Sequence, residues 1–260
     1  MAESLHGAKS MRLRLSIGQL LFGLVLFSCP SAFPQDAMQL FRKMQVALGG
    51  ADKIASIQDF EEIVRANAWH DDGRPMGVVR KRVRFIRPNY LRIDQVGRED
   101  AYVLYFDGSS GWEILPVSVS DLVGEELKFA ERYLWGFNLN LWLADRNPRY
   151  AITSPAPNVI AITDRKDPSM KEEFALDASS FLPVKKADSA ADPSHPVSRE
   201  IRLESWQTFA GVKFPQRTSS FHNGKRVTTI TVELTKVNQG FKLADLAVKP
   251  SDLKPVMSQR

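Results

Sequence analysis

Apolar residues in this chain fall mostly into short alternating runs, and one long stretch breaks the rule. Alternation at a period of two marks strands with one face toward a core. Such runs lie near 57–69, 76–86, 89–96, 101–107, 111–116, 149–153, 158–164, 171–177, 181–187, 198–207, 212–221 and 225–237. Within 76–86, Val79, Val83 and Phe85 share a face with Lys81, while Arg80, Arg82 and Arg84 take the other. Tyr102, Leu104 and Phe106 alternate with Val103 and Tyr105, so both faces of that run are apolar and it belongs near the middle of a sheet. Ile230, Val232 and Leu234 alternate with Thr229, Thr231, Glu233 and Thr235, which predicts one buried and one wet face. His70 to Pro75 and Asn223-Gly224 carry turn chemistry between runs. Ahead of the strands, Ala37, Leu40, Phe41, Met44 and Leu48 repeat at helical spacing, with Asp36 as N-cap and Gly49-Gly50 as the stop. A further short turn of helix is expected near 51–55.

The exception is residues 125–143. Leu127, Phe129, Tyr133, Leu134, Trp135, Phe137, Leu139, Leu141, Trp142 and Leu143 show no alternation. We read two short helices there, near 125–134 and 137–143, interrupted at Gly136. One curved antiparallel sheet has an apolar concave face that needs a cover. The stretch is either ordinary core helix or a flap over a hydrophobic hollow. Aromatic walls with few polar anchors are what a greasy ligand site requires. The fold class is therefore mainly β with some helix (α+β), built on a single strongly curved antiparallel sheet. An N-terminal helix and short lid helices cover it.

Composition narrows the compartment and the chemistry. Lys9, Arg12 and Arg14 precede an apolar run from Leu15 to Phe27, followed by small residues and proline. This predicts a secretory signal over residues 1–35, cleaved between Ala32 and Gln35, and a single domain over 36–260. The apolar run is too short for a spanning helix, which needs about 20 residues. Cys29 is the only cysteine, and Leu26-Phe27-Ser28-Cys29 leaves lipidation open as an alternative to ordinary cleavage. The formal charge is +5. Residues 1–35 hold three of the basic residues and one acid, so a mildly basic protein remains, without the charge of a nucleic-acid binder.

Catalytic signatures are missing. Gly108-Ser109-Ser110-Gly111 lacks the spacing of a nucleophile elbow and reads as a turn. His70, His195 and His222 are not at metal-ligand spacing, so neither a metal nor a cofactor is expected.

One ordered set of motifs carries a resemblance. Val83 to Asp94 places two strand runs around an Arg87-Pro88-Asn89 corner, and the next run ends in Asp107-Gly108 followed by Trp112. The greasy helical middle and returning strands come next, and Leu246 to Pro250 looks like a short final strand. In this order the chain resembles the periplasmic lipoprotein-carrier family, the LolA/LolB-like proteins. The segment from Trp206 to Pro215 is similar to broader outer-membrane lipoprotein-sorting relatives, and the chain is longer than a typical carrier.

The resemblance implies that the curved sheet forms an unclosed β-barrel around an apolar cavity, and that the protein is a periplasmic carrier, and no enzyme, that holds lipoprotein acyl chains or a comparable lipid. An inner-membrane donor complex would supply the cargo and an outer-membrane acceptor would receive it. A monomer is expected. The alternative is a membrane-anchored receptor or envelope sensor of the same fold. A hydrolase assembled from dispersed Asp, Glu and His is a more distant one. Arg87 is implied to latch the lid, and Trp112 to sit where the family's tryptophan sits. The expected cavity and lid residues are Arg87, Leu104, Phe106, Trp112, Leu134, Trp135, Phe137, Leu141 and Trp142.

Overall fold

Strand pairing in the computed structural model is antiparallel throughout. The structure describes residues 36–70, 72–96, 102–115, 118–188 and 199–249. The strands are β1 (Asp59–Trp69), β2 (Pro75–Ile86), β3 (Tyr90–Val96), β4 (Val103–Phe106), β5 (Gly111–Leu115), β6 (Ser118–Asp121), β7 (Tyr150–Ala156), β8 (Val159–Asp164), β9 (Lys171–Leu176), β10 (Pro183–Asp188), β11 (Arg199–Phe209), β12 (Val212–His222) and β13 (Lys225–Val237). They form one sheet in the order β6-β5-β4-β3-β2-β1-β13-β12-β11-β10-β9-β8-β7. The first and last strands, β6 and β7, are not paired with each other, so the barrel stays open. The expected signal segment lies outside the described residues. Among the described residues, no helix is long and apolar enough to cross a membrane.

The chain must travel from one open edge to the other, and it does so through helices. After β6 come α3 (Gly124–Trp135), α4 (Asn138–Leu141) and a 3-10 turn at Ala144–Arg146, and β7 follows. The greasy middle is thus the bridge across the gap. On its other side the core is sealed by α1 (Ala37–Leu48), which turns Leu40, Phe41, Met44 and Leu48 inward and lies against β7, β8 and β12. The Asp36 carboxylate caps this helix by accepting from the Met38 amide at 2.9 Å. At its other end Gly49 has φ of 122°, and a Cβ there would sit 2.1 Å from the Gly211 carbonyl oxygen. Only glycine fits both the backbone and the contact. The short helix α2 (Ala51–Ser56) follows and adds Ile54 to the core.

Two apolar clusters divide the interior by sheet face. Leu104 and Phe106 point into the main core with Phe60, Phe85, Phe214 and the helices. Val103 and Tyr105, the alternating partners in β4, point the other way and join Trp112, Ile114 and Leu246. That outer cluster is capped by α5 (Leu243–Ala247), where a final strand was expected. Arg92 fixes it in place. Its Nη1 donates to the carbonyl oxygens of Leu246, at 2.8 Å, and Val248. The Arg92 guanidinium also lies 5.7 Å from the Trp112 ring centre. Helix wins over strand here because the segment packs as a lid on β3 and β4, with its carbonyls tied to Arg92 and not to a sheet edge.

A second departure concerns β13. Its pairing with β1 shifts register between Ile63 and Val64, so Glu233 is an extra residue. Such a bulge reverses which side chains face inward beyond it. Thr235 is therefore buried and Leu234 is 42% exposed, the reverse of what simple alternation predicts. The remaining difference is small: β6 was not expected as a separate strand.

Trp112 should act on stability. Replacing it with alanine removes the centre of the outer cluster, and a loss of about 3–5 kcal/mol is expected in urea denaturation. Amide exchange across 243–247 should rise in parallel. Unchanged stability would show that α5 is not held by this cluster.

Candidate functional site

The inner face of the sheet is filled at one end and open at the other. At the filled end, Phe60, Phe85 and Phe137 stack with centroids 4.6–5.6 Å apart. Trp142 is 1% exposed and meets Trp206 at 6.3 Å and Phe214 at 6.2 Å. Leu134, Leu139 and Leu141 are buried alongside, and Trp135 packs against Tyr150. The structure thus places Leu141 and Trp142 in solid core, not in the wall of an open space. Space at that end is already occupied by the protein's own rings.

The open end lies further along β1, β2 and β13. Register carries the inner face from Phe60 and Phe85 to Glu62, Val83 and Thr235, then to Val64, Lys81 and Val232, then to Ala66, Val79 and Ile230. Val79, Val83, Ile230 and Val232 are only half-buried. Above them, an aromatic row at i, i+4 and i+8 starts on α3 and ends at the N-cap of α4. Phe129 contacts Tyr133 at 6.5 Å and Tyr133 contacts Phe137 at 6.4 Å, so the row runs from open surface into the core.

Tyr133 reveals what this end is. It is 43% exposed, yet burial pushes its phenol up to about 12, with the Glu62 carboxyl and Tyr102 adding to the shift. Its partial exposure, with Val79, Val83, Ile230 and Val232 only half-buried on the facing strands, marks this end of the inner face as a hollow open to solvent. Glu62 reports the same surroundings. Burial raises its carboxyl to about 7, and the nearby Thr235 hydroxyl offsets only part of that. Lys81 is pulled down by burial as well, and its Nζ lies 5.1 Å from the centre of the Tyr102 ring.

The helices over the inner face are fastened from two sides. Arg87, at the β2–β3 corner, donates from Nε to the Ile57 carbonyl at 2.7 Å and from Nη2 to the Ile54 carbonyl at 3.1 Å. The same Nη2 donates to the Leu139 carbonyl of α4 at 2.9 Å, and Nη1 reaches Asn140 Oδ1 at 3.4 Å. Burial lowers this guanidinium to about 10, so it remains a cation at neutral pH. It donates to carbonyls at the C-terminal end of α2 and within α4, where backbone partners run out; the Ile54 carbonyl also accepts from the Ile57 amide at 3.3 Å. From the far side of the curl, Lys186 of β10 donates to the Gly136 carbonyl at 2.6 Å and pairs with Glu172 of β9 at 3.3 Å. A Cβ at Gly136 would meet Glu172 Oε1 at 2.8 Å. Glycine lets the carboxylate close in beneath the end of α3.

Of the residues expected from sequence, Arg87, Leu104, Phe106, Leu134, Trp135, Phe137, Leu141 and Trp142 are gathered on the inner side. Trp112 is not, because β5 turns it to the outer face with Tyr105. Sequence reasoning missed Glu62, Tyr133, Thr235, Lys186 and Glu172. Lys81 did leave a signal, as a charge among Val79, Val83 and Phe85. A second, shallow groove of about 330 Å³ lies outside α1, beside Val46 and Phe181.

Glu62 makes the protein's stability depend on pH. Its folded carboxyl holds a proton more tightly than the unfolded chain, so the contribution is present at low pH and is lost as pH rises from about 4.5 through about 7. The loss is at most about 3 kcal/mol, and less because water reaches the hollow. Between about pH 5 and about pH 8, Glu62→Gln should lose less stability than the wild type in urea denaturation. Equal slopes would place Glu62 in water.

Comparison with known proteins adds fold but no sequence relative. No family model matches the sequence, and no curated protein matches it. Solved structures do. An outer membrane lipoprotein-sorting protein domain from Vibrio parahaemolyticus superposes with a TM-score of 0.55 at 11% identity, covering 81% of this chain and 97% of the other. A LolA superfamily protein from Nitrosomonas europaea gives 0.55 at 15% identity, covering 82% and 97%. A DUF1329 family protein from Desulfovibrio piger gives 0.56 at 13% identity, covering 81% and 97%. At these identities the likeness is one of architecture: the fold of this chain is similar to the folds of these three proteins.

Proposed function

We propose that this protein is a periplasmic carrier that takes up the acyl chain of a lipoprotein or a comparable lipid in the hollow beneath α3. It carries that chain from an inner-membrane donor toward an outer-membrane acceptor, as a monomer and without catalysing a reaction. The observation that carries this reading is Tyr133, enclosed by protein yet open to water, with half-buried Val79, Val83, Ile230 and Val232 facing it. An apolar surface left partly wet is what an incoming hydrocarbon covers. Each buried CH₂ contributes about 0.8 kcal/mol. A chain of about 16 carbons, fully enclosed, would gain on the order of 12 kcal/mol before the costs of association. A carrier must let go, so partial enclosure suits the task better.

The two fastenings set how freely the cover moves. Arg87 and Lys186 hold α4 and the end of α3, at the filled end. The first turns of α3 lie over the hollow, and among the described residues no side chain of the sheet hydrogen-bonds to them. The moving part is therefore α3 ahead of Gly136, with the clamped segment behind it as the anchor.

Native mass spectrometry of the protein purified from its own envelope, followed by solvent extraction, tests the reading. An adduct that passes into the organic phase is expected. Bare protein that also takes up no lipid in vitro would end the proposal. Arg87→Leu removes a charged donor whose hydrogen bonds are worth about 1.5–3 kcal/mol each. Ligand release at least about 10-fold faster, with faster amide exchange over 138–143, is expected. Release at the wild-type rate would mean that Arg87 is no latch.

A further inference from the structure

The hollow is apolar except for one belt. Register sets Glu62 of β1 and Thr235 of β13 directly opposite each other on the inner face. Lys81 of β2 lies one inward step further along. Tyr133 approaches Glu62 from α3, and Tyr102 reaches Lys81 from the β4 side. Glu113 shares this face through its pairing with Leu104 and acts on Tyr102. Thr235 is 8% exposed, and its Oγ1 is buried without a hydrogen bond. It lies beside the Glu62 carboxyl and partly stabilises the charged form, but no well-formed hydrogen bond joins the two. A buried hydroxyl with no partner is rare in folded proteins and asks for one from outside.

We infer that this belt is a head-group subsite, and that it takes a neutral acyl carbonyl, an ester or amide, with the hydrocarbon lying along the valine-lined wall. The inference rests on the lipid-carrying reading above. The choice of a neutral head follows from the mixed signs in the belt. Lys81 opposes a cationic head, and Glu62 and Glu113 oppose a carboxylate. An uncharged carbonyl offends neither, and its two lone pairs accept from the Thr235 and Tyr133 hydroxyls. A bare alkane would leave the Thr235 hydroxyl unsatisfied, so the subsite selects acyl derivatives over hydrocarbon and over free fatty acid.

A displacement assay with a naphthylamine fluorophore tests this near neutral pH. Competitors are monomyristoyl glycerol, N-methyl myristamide and myristic acid. The ester and the amide should each displace the probe about 5- to 10-fold more tightly than the acid, the effect of one or two neutral hydrogen bonds. Thr235→Val should erase most of that ratio, and Thr235→Ser should restore it. If Thr235→Val fails to fold by circular dichroism, Tyr133→Phe, at a side chain that is 43% exposed, carries the same test. Myristic acid binding as tightly as the ester, or a ratio unmoved by these variants, overturns the subsite while leaving the carrier reading intact. A fluorophore that binds but yields to none of the three lipids, or that does not bind, removes both.

Discussion

An antiparallel sheet that curls without closing creates the constraint on which everything else here depends. β6 and β7 end as unpaired edges, and the polypeptide between them has to cross the gap. The inner face it crosses is apolar, so the crossing must itself be apolar or leave that face in water. Residues 122–149 answer both demands at once. They are the connection and the cover in the same segment, which explains why the longest greasy stretch of the domain lies between two edge strands.

A cover of this kind can fill the curl or roof it. This protein does both, at different ends. Phe137, Leu141 and Trp142 fill the space against Phe60, Phe85 and Phe214, which gives the sheet a rigid core. Phe129 and Tyr133 lie over the other end, where Val79, Val83, Ile230 and Val232 stay half-buried. Gly136 marks the change, and the Lys186–Glu172 pair and Arg87 fasten the side that is filled. The charges facing the hollow fit this division. In a packed core Glu62 and Lys81 would need partners. Where water still enters, they are tolerated, with the shifted proton affinities that partial burial brings.

Much of the fold was legible in the sequence because strand periodicity is strong. Val79, Val83 and Phe85 against Arg80, Arg82 and Arg84 announce their faces directly. The helix at 37–48 and the paired helices around Gly136 are equally plain. Three features were not, each for a physical reason. The bulge at Glu233 inverts the pattern of β13, and local alternation cannot anticipate an extra residue. The segment at 243–247 is helical because Arg92 captures its carbonyls from more than 150 residues away. Trp112 was assigned by resemblance to the cavity, yet its parity in β5 sends it outward with Tyr105. As for the site, Arg87 was readable from its motif. The Glu62, Thr235 and Tyr133 belt was not, because it is assembled from strands and a helix that only the register brings together.

Locating the bound chain tests the central claim most directly. A myristoyl probe carrying a terminal diazirine can be photolysed in the complex and the labelled peptides sequenced. Labels are predicted on α3 around 129–133 and on the inner faces of β1, β2 and β13. Labels confined to the outer cluster around Trp112, or to the groove beside Val46 and Phe181, would contradict the account.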